Sequence, residues 1–127
     1  MMRSSRALVS AVALGALLAS CGGGEAGPAE TVPPGAFVIK AVNGLKFDAE
    51  NYGPIPSGEV TLGLVNDDSL RHTLIIAEGD SKIPNFKLEV NKKGDVDSGA
   101  VTLDPGTYTL ICDVPGHGNM RATLTVE

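Results

Sequence analysis

Cys112, His117 and Met120 fall within nine residues near the end of the chain, in LICDVPGHGNMRATLTVE. A thiol, an imidazole and a thioether are donors for a soft or borderline metal ion; calcium and magnesium take oxygen instead. Each residue alone has an ordinary explanation: a surface imidazole, a gap-filling thioether, a small buried thiol. The inventory argues for a common purpose. Met120 is the only methionine beyond Met1 and Met2, and His72 and His117 are the only histidines of the 127 residues. Of the two cysteines, Cys21 reads as the modified residue of a lipobox described below, so Cys112 would have no intrachain disulfide partner. A lone thiol outside the cytoplasm needs a reason. The four residues His72, Cys112, His117 and Met120 make one candidate metal site.

The elements that must position these groups are strands. Short apolar runs alternate with period two and are split by Gly, Pro, Asn and Asp. AFVIKAVN, LKFDAE, EVTLGLVN, HTLIIAE, KLEVN, GAVTL, YTLIC and MRATLTVE each read as a strand. YGPIPSG reads as a Pro-rich loop, and GDSKIPNF as a loop with room for a helical turn. No window carries a long amphipathic helix, and seven to eight short strands indicate an all-β sandwich or barrel. Strand parity puts Tyr108, Leu110 and Cys112 on one face, His72, Leu74 and Ile76 on one face, and Met120, Ala122, Leu124 and Val126 on one face. The candidate donor is on the apolar face each time, and each donor is at a strand end. An antiparallel pairing of YTLIC with MRATL brings Cys112 beside Met120, with His117 on the loop between them. LDPGTY places Tyr108 where a tyrosine corner would use its hydroxyl.

The donor set narrows the metal. Zinc takes Cys and His but rarely a thioether, whereas two His, one Cys and a weak axial Met suit copper in one-electron transfer. From about Phe37 to Val126 the chain resembles the cupredoxins, the family of plastocyanin, azurin and amicyanin. The resemblance is carried by FDAENYGPIPSGEVTL (Phe47–Leu62), by Asn66 with His72-Thr73-Leu74, and by PGTYTLICDVPGH and GNMRATLTV. It implies a Greek-key β-sandwich with one copper at one end. Cys112 would be the thiolate ligand, His72 and His117 the imidazole ligands, and Met120 the axial thioether. It also implies that the backbone N–H of Thr73 bonds the Cys112 sulfur. Two departures stand out. Only Gly118 and Asn119 separate His117 from Met120, a gap like that of amicyanin. Thr73 stands where plastocyanin and azurin have Asn, an exchange expected to loosen the tie between the ligand strands.

These readings make the chain an electron-transfer protein with a type 1 copper site and not an enzyme, since two histidines cannot also furnish a catalytic copper. The alternatives are a copper carrier or store, and a metal-free adhesion sandwich. The ring edge of His117 would be the electron port, with Pro115, Gly116 and Gly118 as a flat docking patch. Asp67, Asp68 and Asp113 would form an acidic rim favouring a basic redox partner.

The rest of the chain reads as delivery. Arg3 and Arg6 precede the apolar stretch ALVSAVALGALLAS, and LLASC resembles the lipobox of bacterial lipoproteins. Residues 1–20 would be a signal peptide and Cys21 the lipidated residue, stably anchored to a membrane by two or more acyl chains. Gly22 to Gly35, rich in Gly, Pro, Ala and acid, is a flexible tether spanning roughly 20 Å root-mean-square. The folded domain covers residues 36–127, exported to face the periplasm or the cell exterior. The formal charge is −5, and removal of residues 1–20 takes away two arginines and no acid, leaving −7. That balance argues against nucleic acid or anionic lipid as a direct partner; the chain is expected to be a monomer held at the membrane by its lipid.

Overall fold

In the computed structural model of the protein, residues 31–127 are described; the leader, Cys21 and most of the tether lie outside the described residues. Ten strands form in order: β1 (Phe37–Val42), β2 (Lys46–Phe47), β3 (Asn51–Ile55), β4 (Gly58–Asn66), β5 (His72–Glu78), β6 (Ser81–Lys82), β7 (Leu88–Val90), β8 (Val96–Leu103), β9 (Gly106–Ile111) and β10 (Arg121–Val126). All eight runs read as strands contain one, although LKFDAE contributes only the two residues of β2; β3 and the two-residue β6 are additional. No helix forms among the described residues; the stretch read as a possible helical turn instead holds β6.

One sheet runs β2-β1-β4-β8 and the other β3-β10-β9-β5-β6, with β7 also paired to β5. Both are mixed, because β1 lies parallel to β4 and β3 parallel to β10. The chain crosses between sheets five times, from β2 to β3, β3 to β4, β4 to β5, β7 to β8 and β8 to β9. This is the all-β sandwich expected from the sequence. Alternating residues point into the space between the sheets: Ile39 and Ala41, Leu62 and Leu64, Leu110, Leu124 and Val126 are all buried. Each large aliphatic side chain taken fully out of water contributes about 1.5–3 kcal/mol, and this shared interior fixes the register of both sheets.

One expectation fails. YGPIPSG contains most of β3, not a loop. Gly and Pro argued against a strand, but β3 is an edge strand, where Pro costs no ladder bond. Gly53, at φ +94°, lies against β10, and a Cβ there would run into the Thr125 carbonyl oxygen. The register of β3 against β10 shifts between Leu124 and Val126 at the same place. Tyr108 is a tyrosine corner: its hydroxyl donates to the Asp104 carbonyl at 2.8 Å. At the other boundary, Val32 already packs over Gly63 of β4, so the end of the tether lies on the sandwich.

Candidate metal centre

Register alone brings three donors to one end. β9 and β10 pair Ile111 with Arg121, which sets Cys112 opposite Met120, and the Cys112 N–H donates to the Met120 carbonyl at 3.1 Å. β5 pairs Ile75 with Ile111, which sets Thr73 and Leu74 beside Cys112 and Asp113. Parity does the rest. His72, Cys112 and Met120 all turn inward and are at most 1% exposed.

His117 arrives differently. The loop after Cys112 is two successive turns: the His117 N–H donates to the Val114 carbonyl and the Met120 N–H to the His117 carbonyl, both at 2.9 Å. The first has Pro115 in its second position and Gly116, at φ +89°, in its third, the pattern of a type II turn. The second explains the short spacing of His117 and Met120. Two intervening residues are what a single i to i+3 turn needs to return the chain to β10. The result is a half-buried His117 whose Nδ1 is 3.6 Å from the Cys112 sulfur. Its ring centroid is 5.0 Å from that of His72.

The donor atoms of His72, Cys112 and His117 all lie within 4.8 Å of one another. A metal bonded at about 2.0–2.3 Å to three donors in one plane would separate them by about 3.5–4 Å, so the cluster is near the size such an ion requires. The strongest sign that it is built for one is an orphan: Nδ1 of His72 is buried without a hydrogen-bond partner. Leaving such an atom unpaired costs about 1–3 kcal/mol. Its lone pair, the Cys112 sulfur and the His117 ring form a soft, nitrogen–sulfur set with Met120 buried beside it. These residues fit a copper-type ion and not a hard cation.

The surroundings hold the donors in place. The Thr73 N–H donates to the Cys112 sulfur at 3.4 Å, as the resemblance implied. The expected loosening at Thr73 does not occur. Its hydroxyl donates to Asp113 Oδ1 at 2.6 Å and accepts the Asp113 N–H at 2.9 Å, tying β5 to the residue after Cys112 by two bonds. The same hydroxyl is 3.7 Å from the sulfur, but its one proton goes to the closer, charged acceptor. Lys87 reaches the other Asp113 oxygen at 3.2 Å. The Thr73 bond and, after it, the Lys87 ammonium hold the Asp113 carboxyl below the usual range.

Asp68 is a second departure from expectation. It is not part of an exposed acidic rim; it is 5% exposed, and its Oδ2 accepts the His72 Nε2–H at 2.8 Å. That bond to His72 leads the effects lowering the Asp68 carboxyl below its ordinary value, against the opposing pull of burial. Asn66, fully buried at the end of β4, shapes the turn that delivers Asp68: its Oδ1 accepts the Asp68 N–H at 2.9 Å and its Nδ2 donates to the Leu70 carbonyl at 2.8 Å. Sequence reasoning gave Asn66 and Asp68 no such roles. The only available signals were an Asn two residues before an Asp and an Asp four residues before a His, neither specific by itself. Of the three acids, Asp67 alone is exposed and uncommitted to the site's bonding, since Asp113 is turned to Thr73.

No protein-family profile matches the chain, and no curated protein does. Solved structures do match. An auracyanin from the photosynthetic bacterium Roseiflexus castenholzii is 19% identical, with a TM-score of 0.61, covering 73% of this chain and 97% of that one. Auracyanin A, a "blue" copper protein from Chloroflexus aurantiacus, is 21% identical at a TM-score of 0.58, covering 72% and 98%. A purple cupredoxin from Nitrosopumilus maritimus is 25% identical at 0.57, covering 72% and 99%. The fold of this chain is therefore the cupredoxin β-sandwich, and its His-Cys-His-Met set stands at one end of that sandwich.

Proposed function

We propose that the protein is a one-electron carrier with a mononuclear type 1 copper centre held by His72, Cys112, His117 and Met120. The observation that carries this is the unpartnered, buried Nδ1 of His72 facing a buried thiol and a second imidazole. A copper ion bound there supplies the Cu(I)/Cu(II) couple. The protein's part is to keep the donors from moving: His72 and Cys112 are fixed by strands, and the sulfur by the Thr73 N–H. A frame that holds the same donors for both oxidation states keeps rearrangement small during electron passage. The solved structures of like fold, including a copper protein described as blue, support the reading.

His117 is the port for the electron. It is the one nitrogen ligand with exposure, flanked by exposed Pro115, Gly116 and Gly118, with Leu70 47% exposed on the loop before His72. We further propose export, lipid attachment at Cys21 and work at the outer face of a membrane, on the strength of the lipobox-like LLASC and the tether. The acidic balance of the chain suits a basic redox partner. With Asp68 buried and Asp113 turned to Thr73, any steering falls to Asp67 and the overall charge, and added salt should slow transfer.

The test is spectroscopic. The purified metal-free chain given Cu(II) should develop an intense visible thiolate-to-copper charge-transfer band that a reductant bleaches reversibly. The Cys112→Ser variant should fold and stay colourless. A colourless wild type would sink the proposal.

A further inference from the structure

Asp68 carries more charge than its visible task requires. His72 needs only an acceptor at Nε2 to fix its tautomer, and a backbone carbonyl or an amide oxygen would serve. The protein instead buries a carboxylate there, at 2.8 Å, and among the described residues no lysine or arginine pairs with it. Its other oxygen accepts the Ser69 N–H at 2.7 Å, and its turn is pinned by Asn66. Burying an anion whose only side-chain partner here is a neutral imidazole costs several kcal/mol. The two nitrogens of one ring divide the work: Nε2 is spent on Asp68, and Nδ1 is left bare toward Cys112 and His117.

We propose that Asp68 is a positioning residue that sets the site's potential: its carboxylate fixes the His72 tautomer and makes the imidazole a stronger donor, weighting the site toward Cu(II). This rests on the copper reading above. The thiolate of Cys112 already offsets one positive charge of a bound ion. A second buried anion, acting through the His72 ring, offsets the next and so favours the more highly charged oxidation state. Asp68 touches no reacting atom; its influence passes through the bond to Nε2.

Two variants separate position from charge. Asp68→Asn keeps a carbonyl oxygen able to accept the Nε2–H while removing the charge, and Asp68→Ala removes both. Asp67→Asn changes the net charge equally from an exposed neighbouring position and serves as control. Nitrogen-15 NMR of the metal-free wild type should show His72 as the Nε2–H tautomer. Asp68→Asn should keep it and Asp68→Ala should mix tautomers. In copper-loaded protein, Asp68→Asn should lower the Cu(II)-to-Cu(I) affinity ratio by about tenfold or more, within the 10–100-fold typical for partners of metal-ligating histidines. At about 59 mV per tenfold for one electron, the midpoint potential rises accordingly, and Asp67→Asn leaves it in place. A potential unmoved in Asp68→Asn, or moved equally by Asp67→Asn, overturns the charge role. An Nδ1–H tautomer in the wild type overturns the positioning role without any variant having to fold. Failure of the wild type to colour with Cu(II) sinks the copper reading and the tuning with it, whereas the tautomer is read without metal.

Discussion

His72 and His117 present the same ring to the same point from opposite kinds of support. His72 opens β5, whose first six residues, His72 to Ala77, are all buried, and a buried carboxylate holds its far nitrogen. His117 hangs on two turns among exposed Pro115, Gly116 and Gly118, and among the described residues no side chain backs its Nε2. One ligand is part of the core and the other part of the surface. The division suits the proposed carrier: the buried side would impose donor geometry and charge, and the exposed side would give the electron a short way out.

The largest effect that can break this comparison comes from deleting each ring in turn. His117→Gly should open a hole at the surface that added imidazole fills, restoring the visible band in the copper-loaded protein. His72→Gly should not be rescued, because the vacancy is enclosed and Asp68 is left as a buried charge without its partner. Removing one member of a buried pair costs about 3–5 kcal/mol, so His72→Gly should also unfold at much lower denaturant concentration than His117→Gly. Equal rescue by imidazole, or equal loss of stability, would erase the distinction between the two sides.

That distinction was only half legible in the sequence. Parity placed Cys112, Met120 and His72 inward, and the structure agrees because a residue pattern of period two has one way to bury its apolar face. His117 on an accessible loop followed from Pro115 and Gly116, whose turn chemistry is local. Asp68 was not legible, since an acid beside a polar loop has solvent as its default. Only the fold reveals that the turn pinned by Asn66 brings it to the His72 ring. Thr73 was misjudged for a similar reason. The tie it was expected to weaken is completed by Asp113, a residue 40 positions away. The Gly-Pro of β3 was misread because whether a strand lies at a sheet edge is a property of topology, not of the segment.

A smaller effect sharpens the buried side. Thr73 is fully buried, and its hydroxyl is partner to both the N–H and the carboxylate of Asp113. Thr73→Val keeps the shape and removes both bonds to Asp113, whose partial exposure lets water take their place, so the loss should be about 1 kcal/mol in denaturant titration of the metal-free chain. All four donors and the Thr73 N–H remain, so the visible band should persist after copper loading. A stable variant without colour would show that the hydroxyl serves the metal directly and that the tie between strands is incidental.

The mildest effect is electrostatic and belongs to the same tie. Asp113 is held below the carboxyl value of 3.8 chiefly by the Thr73 hydroxyl and then by Lys87. A carboxyl depressed in the folded state contributes stability that is fully present above its unfolded value and is lost as pH falls through the folded one. The stability difference between the metal-free wild type and Asp113→Asn should therefore hold steady from neutral pH down to about 4 and close below it. Asn still accepts the Thr73 proton, so the gap measures charge and the Lys87 contact, not the tie as a whole. Partial exposure of the pair, 46% for Lys87 and 31% for Asp113, keeps that gap small, and added salt should narrow it further. The comparable difference for Asp68→Asn, measured in the same metal-free chain, should also close in acid but resist salt, because burial withholds the Asp68–His72 pair from screening. Equal sensitivity of the two pairs to salt would mean that Asp68 is open to solvent after all and would remove the physical basis for separating a core ligand from a surface one.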